Sequence, residues 1–325
     1  MLKLAEAIST NTVQGEIPTD AECLTLGTIV GTTEPETTLT THEFQTNVKK
    51  DVKSLVAVNE NTKIYEHIRT LVKQGNFLKL TWLEQTDATW KSFIFNLPKG
   101  TMKWVLNSSI DTLPTKVNLK MWGKVTNDKC FCGTRQTLNH ILNCCRTSIE
   151  QGRFTYRHDN VLNFISKCLD LDKFKCYIDL NGFQTSARGT LPPDLIVTNL
   201  KPDIVIQNKA TKTVDIFELT CPGEQRIETA HRLKAEKYQH FTKDITNYKA
   251  TVIPFEIGSN TDFVSERNKA SIKKLHSYCK KGIKLKKFVE NISAVTILSS
   301  YYIFNCRNNR NWDDLDPISG PFSTN

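Results

Sequence analysis

Two carboxylates and a lysine stand at a spacing suited to phosphodiester chemistry. Lys201-Pro202-Asp203 leads into Ile204-Val205-Ile206, and the run from Val214 to Thr220 follows a polar turn at 208–212. Both segments are rich in strand formers. Strand residues alternate faces, so Glu218 and Thr220 project to one side with Val214 and Ile216, while Asp215 joins Phe217 and Leu219 on the other. A hairpin of the two strands brings Asp203 beside Glu218. Paired acids at strand ends make a hard oxygen site that suits Mg²⁺, which can ionise water and polarise a phosphodiester. Asp215 ranks below Glu218 as second acid because it faces away.

A lysine near such acids orients the water or balances developing negative charge. The position two residues after Glu218, where that lysine commonly stands, holds Thr220. A helix expected over 224–244 supplies a substitute. At about 100° per residue, Lys234, Lys237 and Tyr238 share one arc with Ile227, Ala230 and Phe241, and Glu228, Arg232, Glu236 and Gln239 take the opposite face. Lysines on a packing face need acidic partners. Asp203 and Glu218 are the natural ones, and the spacing does not separate Lys234 from Lys237. The plainer alternative is a turn acid, an exposed strand acid and lysines reaching solvent.

A second constellation has soft ligands. Cys130-x-Cys132, seven residues, His140, four residues and Cys145 fall within sixteen positions. Zinc favours such S/N tetrahedra, and a closed site can fold a segment with no core of its own. Gly133 permits the tight backbone that such a knuckle uses. With 139–145 helical, His140 and Cys144 share a face and Cys145 lies about 100° round, so either cysteine can be the fourth ligand. Four protein ligands leave no open position, which makes the site architectural. The alternative is merely buried cysteines.

These residues need elements to hold them. The 325 residues allow two modest domains or one core with a long tail. Lys and Arg number 43 against 34 Asp and Glu, and the net charge of +9 suits a polyanion, nucleic acid before an anionic membrane surface. No secretory signal is visible, and no apolar stretch is long enough to span a bilayer, the best being 292–304. Ten cysteines without a signal read as reduced thiols, core residues or ligands, so the chain is expected inside the cell, nuclear or cytoplasmic.

The expected organisation is a loosely ordered segment over 1–51, a helical region over 52–125 and the knuckle with its following helix over 126–170. An acid-bearing α/β core spans 190–260 and a basic helical extension 261–325. Helices are expected near 59–74, 78–95 and 154–169, with strands over 204–206, 214–220 and 251–257. Trp82, Trp90, Trp104 and Trp122 read as core anchors. Arg153, Arg157 and His158 read either as phosphate contacts or as a solvated helix face. Glu256 is a possible third acid or a structural one. The run Lys273, Lys274, Lys280, Lys281, Lys284, Lys286 and Lys287 is a solvated helix face that could also hold a duplex.

Four strings in order carry a resemblance: Ile110-Asp-Thr-Leu-Pro-Thr-Lys-Val-Asn-Leu119, the knuckle ending Asn139-His-Ile-Leu-Asn-Cys-Cys145, Gly152-Arg-Phe-Thr-Tyr-Arg-His-Asp159, and Lys201-Pro-Asp through Glu218-Leu-Thr-Cys-Pro222 to Lys234-x-x-Lys237-Tyr238. From about 52 to 312 the chain resembles the C-terminal region of non-LTR retrotransposon reverse transcriptase polyproteins of the clade with a restriction-like endonuclease. The resemblance implies an α+β or α/β fold, with a helical region and CCHC zinc knuckle ahead of a PD-(D/E)xK core, a mixed sheet flanked by helices. It implies target-site nicking of duplex DNA that frees a 3′ hydroxyl for reverse transcription, with element RNA as a possible further partner and neither a membrane nor a small-molecule cofactor. Asp203 and Glu218 would hold Mg²⁺, Lys234 or Lys237 would be the displaced catalytic lysine beside Tyr238, and Cys130, Cys132, His140 and Cys145 would hold zinc. The Cys130-x-Cys132 spacing is one residue shorter than the usual family form. No Tyr/Phe-x-Asp-Asp polymerase signature is present, so the expectation is a nuclease module without its polymerase; the alternative is a non-catalytic, nucleic-acid-binding remnant.

Overall fold

The computed structural model describes residues 41–71, 93–183, 191–193, 195–196, 198–238, 240–260 and 266–312. The backbone separates into two units, Met1–Thr70 and Leu71–Asn325. In the first, the described residues form one helix, α1 (Thr41–Thr70), which has no Gly or Pro to break it. It starts inside the 1–51 segment expected to be loosely ordered; residues 1–40 lie outside the described residues. The helix leaves Val48, Val52, Val56 and Val58 exposed. The expected helix at 59–74 corresponds to its second half, and most of 78–95, with Trp82 and Trp90, lies outside the described residues.

In the second unit the order is α2 (Lys99–Ser109), α3 (Lys116–Met121), a π-helical turn (His140–Cys144), α4 (Arg146–Glu150) and α5 (Arg153–Cys168). Then come β1 (Lys175–Ile178), β2 (Ile204–Asn208), β3 (Thr213–Thr220), α6 (Ile227–Tyr238), β4 (Lys249–Glu256), α7 (Glu266–His276) and α8 (Leu285–Asn305). The four strands form one sheet in sequence order. β1, β2 and β3 pair antiparallel, and β3 pairs parallel with β4. The class is therefore α+β, with a mixed open sheet. A parallel pair needs a crossover, and α6 is that crossover, which carries its lysines across the sheet.

Strand alternation sorts the core onto two faces. Ile204, Ile206, Phe217 and Leu219 pack with Val161, Leu162 and Ile165 of α5 and with Phe288 and Ile292 of α8. Val205, Val214 and Ile216 pack on the other face with Tyr238, Phe241 and Ile245. A third cluster joins Trp104 and Val105 of α2, Leu138, and Ile141 and Leu142 of the π turn to Ala294, Ile297 and Phe304 of α8. The apolar stretch at 292–304 is thus the buried half of a core helix, and among the described residues no helix is long and apolar enough to cross a membrane. Of the tryptophans expected as anchors, Trp104 is buried at 3% exposure but Trp122 is 43% exposed, at the end of the short α3.

Phe217 is fully buried and meets Phe255 and Tyr278 edge-on, with ring centroids 6.5 and 6.2 Å away. Phe217→Ala should therefore cost about 3–5 kcal/mol, the range for emptying an aromatic core site. Urea unfolding monitored by circular dichroism measures this directly; a cost below 1 kcal/mol would contradict the packing.

Candidate functional site

Asp203 immediately precedes β2, and the antiparallel register that pairs Ile204 with Phe217 sets it opposite Glu218 near the end of β3. The two acids brace each other through the backbone. Asp203 N–H donates to Glu218 Oε1 at 3.1 Å, and Leu219 N–H donates to Asp203 Oδ2 at 2.8 Å. From α6, Lys234 Nζ donates to Glu218 Oε2 at 2.7 Å and reaches Asp203 Oδ2 at 3.5 Å. Asp203 is 6% exposed and Glu218 is fully buried, so the exposed-strand-acid alternative does not describe this pair.

Lys237 takes a different course. It is exposed, and its Nζ meets the Tyr238 hydroxyl at 3.1 Å, while that hydroxyl donates to Lys201 O at 3.3 Å. Tyr238 lies in the core with Phe241, and burial together with the Glu218 charge pushes its hydroxyl well above the usual phenol range. The structure thus brings Lys234 to the acids and leaves Lys237 one turn away.

The fourth group at the acids is His158, from the N-terminal half of α5. Its Nε2 lies 3.3 Å from Asp203 Oδ1 and its Nδ1 lies 3.2 Å from Asp159 Oδ1. Burial disfavours the imidazolium, but bonds and charges from Asp159 and Asp203 outweigh it and raise the ring to about 9. Burial pushes Asp203 up, yet His158, Lys234 and Leu219 N–H hold it below the usual carboxylate range. Glu218 is pushed up to about 6 by burial and by the Asp203 charge. The site therefore holds one firmly ionised acid and one at the edge of protonation. In the sequence His158 was visible only as one of three basic residues; nothing in the spacing tied it to an acid 45 positions downstream.

His158 gives the fold a pH signature. Its ordinary value is 6.5 and the folded value is about 9, so its stabilisation is complete below pH 6.5 and is lost as pH rises through 9. Without added Mg²⁺, the native chain should lose about 3 kcal/mol across that window. His158→Gln should flatten the loss when melting temperature is followed against pH. Parallel curves for the two proteins would show that the imidazole carries no charge in the fold.

Arg153 and Arg157 are both 2% exposed, so neither belongs to a solvated face. Arg153 donates to the carbonyls of Cys306 and Asn309 at 2.6 and 2.8 Å. Arg157 donates to Cys221 O at 2.9 Å, to Ser300 Oγ at 3.2 Å and to Asn143 Oδ1 at 3.3 Å. Together with Phe154, His158, Thr220, Arg226 and Lys234 it lines a cleft of about 360 Å³; the acids are not in its lining but are joined to it through His158 and Lys234, which touch both. Glu256 stands beside Thr220 in the parallel register, is 1% exposed and meets His231 Nδ1 at 3.0 Å. Asp215 faces the other way, to the Tyr278 hydroxyl and to Lys274 Nζ at 3.0 Å. In the basic run the other lysines are mostly exposed.

The soft constellation also converges. One ligand atom from each of Cys130, Cys132, His140 and Cys145 lies within 4.8 Å of the others, so the cluster could hold a metal ion. Cys130 and Cys132 sit on a tight turn closed by Gly133 N–H to Cys130 O at 3.0 Å, with Gly133 at φ +84°, where a side chain would be strained. The 139–145 segment is not a regular α-helix. Its π turn widens the repeat toward five residues, which carries Cys145 rather than Cys144 back beside His140. Cys144 is exposed, outside the cluster.

No protein-family model matches the chain, and no curated protein matches it either.

Proposed function

We propose that the chain is a magnesium-dependent DNA endonuclease module of the restriction-like, retrotransposon-derived kind. One observation carries the reading: Lys234 reaches both Asp203 and Glu218 from the crossover helix, at the wall of a cleft bordered by Arg157, His158 and Arg226. A merely structural ion pair needs no such cleft, and burying paired acids is costly unless they serve a purpose.

The residues fit a divalent cation. The acids supply hard oxygens, their field already draws two cationic side chains, and Thr220 Oγ1, two residues on from Glu218 and lining the cleft, is buried without a hydrogen-bond partner among the described residues. Magnesium, when bound, supplies Lewis-acid polarisation of the phosphodiester and a lower pKa for water. Lys234 fixes the Glu218 carboxylate and places positive charge where the phosphorane charge develops. His158 holds Asp203 Oδ1, Arg157 shapes the cleft floor, and exposed Arg226 contacts the backbone phosphates at the rim. The net charge of +9 favours binding to DNA whatever its sequence.

The Cys₃His cluster is assigned to structural zinc. A tetrahedron with Zn–S near 2.3 Å has sulfur–sulfur edges of about 3.8 Å, and Cys130 Sγ and Cys145 Sγ stand 3.7 Å apart. The donors are soft, and all four come from the protein.

The test is relaxation of a supercoiled plasmid by the purified chain. Nicked circles should appear with Mg²⁺ and not without added Mg²⁺, and linear product should lag behind. A second reading, a nucleic-acid-binding remnant without catalysis, has one observation in its favour. All four carboxylate oxygens of Asp203 and Glu218 already have a donor within the chain. Salt-dependent DNA binding without metal-dependent nicking would select that reading.

A further inference from the structure

A second cavity of about 230 Å³ opens beside the cleft, between α2, the π turn and the start of the α6 region. The two are neighbours, because Asn143 lines both. Asn143 Nδ2 donates to Asn139 Oδ1 at 3.1 Å, while Asn143 Oδ1 accepts from Arg157 in the cleft. Gly223 allows this partition to stand: a Cβ there would come within 2.6 Å of Asn139 Oδ1 and 3.0 Å of Asn143 Nδ2.

The chemistry of this cavity differs from that of the cleft. Among the described residues that line it, none is a lysine, arginine or histidine, and two, Asp111 and Glu224, are acids. A phosphate meets no cation among these residues and has two negative charges to avoid. The walls also bring hydroxyls and carboxamides, and Leu138, 6% exposed, adds a small apolar edge, while Leu142 behind the wall is fully buried. Glu224 is 5% exposed and accepts the backbone N–H of Asn260 at 2.8 Å. Asn260 Oδ1 is buried and has no hydrogen-bond partner among the described residues. Buried acceptors are normally satisfied, so this one is a place for a donor from outside the chain.

A flat, uncharged ligand that carries N–H donors and arrives next to a phosphate-holding cleft has the chemistry of a nucleobase. We propose that this cavity receives one unpaired, amino-bearing base (adenine, cytosine or guanine) of a DNA strand whose backbone lies in the neighbouring cleft. The proposal rests on the endonuclease reading and narrows its substrate, from plain duplex to DNA with a base out of the stack close to the nick. Extruding a base costs stacking energy, least where it is already unpaired. A thymine offers its carbonyls, one ring N–H and no amino group, and matches the acceptor wall less well.

The test measures binding, so it does not depend on turnover. Fluorescence anisotropy with the full zinc-loaded chain, with Ca²⁺ in place of Mg²⁺ and no chelator, compares a paired duplex with the same duplex carrying a single bulged A, C, G, T or abasic nucleotide. Bulged A, C or G should bind about tenfold more tightly than the abasic bulge, the size of one good base-edge contact. Asn260→Leu should erase that preference and leave paired-duplex affinity unchanged. Gln225→Trp, at an exposed rim position, should do the same by blocking the mouth without touching the interior. Equal affinity for every bulge, or a preference that survives both variants, overturns the base pocket and leaves the nuclease reading intact. No binding to any duplex overturns both.

Discussion

Asp203→Asn should lower magnesium-dependent nicking about a thousandfold or more while DNA affinity stays within a factor of two or so. The size follows from what the carboxylate does. It is the acid held ionised by His158, Lys234 and Leu219 N–H, and its charge cannot be replaced by an amide. Asparagine keeps an acceptor for Leu219 N–H, so the β2–β3 junction stays braced and loss of activity is not loss of fold. Alanine would strand that buried N–H and the imidazolium, at a cost of about 1–3 kcal/mol. Binding should hold because removing negative charge from a cleft does not weaken its hold on a polyanion. The lysines give an internal contrast. Lys234→Met removes a 2.7 Å bond to a fully buried carboxylate and should approach the effect of the acid variant, whereas Lys237→Met alters an exposed side chain and should change the rate only a few-fold. Nicking by Asp203→Asn at the native rate would remove these acids from the chemistry, and the reverse order for the lysines would move the catalytic amine to Lys237.

The acids were legible in the sequence because strand periodicity is rigid. Alternation assigns Glu218 and Asp215 to opposite faces without any tertiary information, and the fold has them so, with Lys234 near one and Lys274 near the other. Helical phase narrowed the amine to two residues, but their depth depends on how α6 lies across β3 and β4, which periodicity does not encode. β1 was missed because four residues, Lys175 to Ile178, are too few to show a period, and its pairing with β2 is a long-range event. The burial of Arg153 and Arg157 was missed for a related reason. A basic helix start reads as solvated until carbonyls from distant segments, Cys306, Asn309 and Cys221, close around it. The choice between Cys144 and Cys145 turned on a π turn, a backbone irregularity with no signature in residue types.

Stripping the metal should disorder more than the knuckle. The Cys₃His cluster closes a segment whose own apolar residues are few, but three of them, Leu138, Ile141 and Leu142, belong to the cluster around Trp104, Ile297 and Phe304. Folding of such a segment draws on metal binding, with thiols that must give up protons to bind. Burial and the neighbouring Cys145 hold the Cys130 thiol above its usual range, so without an ion the four soft ligands gain little by staying together. The disturbance should pass along α8, which is buried against both this cluster and the sheet, and reach the cleft through Asn143 and Arg157. The native chain is expected to carry one zinc by mass spectrometry under non-denaturing conditions. Cys145→Ser and His140→Ala should each lose it and lower the melting temperature by ten degrees or more, on the order of 3 kcal/mol. The emission of buried Trp104 should shift to the red in the same variants. Cys144→Ser should keep the metal and the melting temperature, since that thiol is exposed and outside the cluster. If Cys144→Ser loses zinc and Cys145→Ser keeps it, the π turn has the wrong cysteine facing His140. If neither variant loses zinc because none was bound, four converging ligands are a buried thiol cluster, and the α2–α8 core stands without a metal.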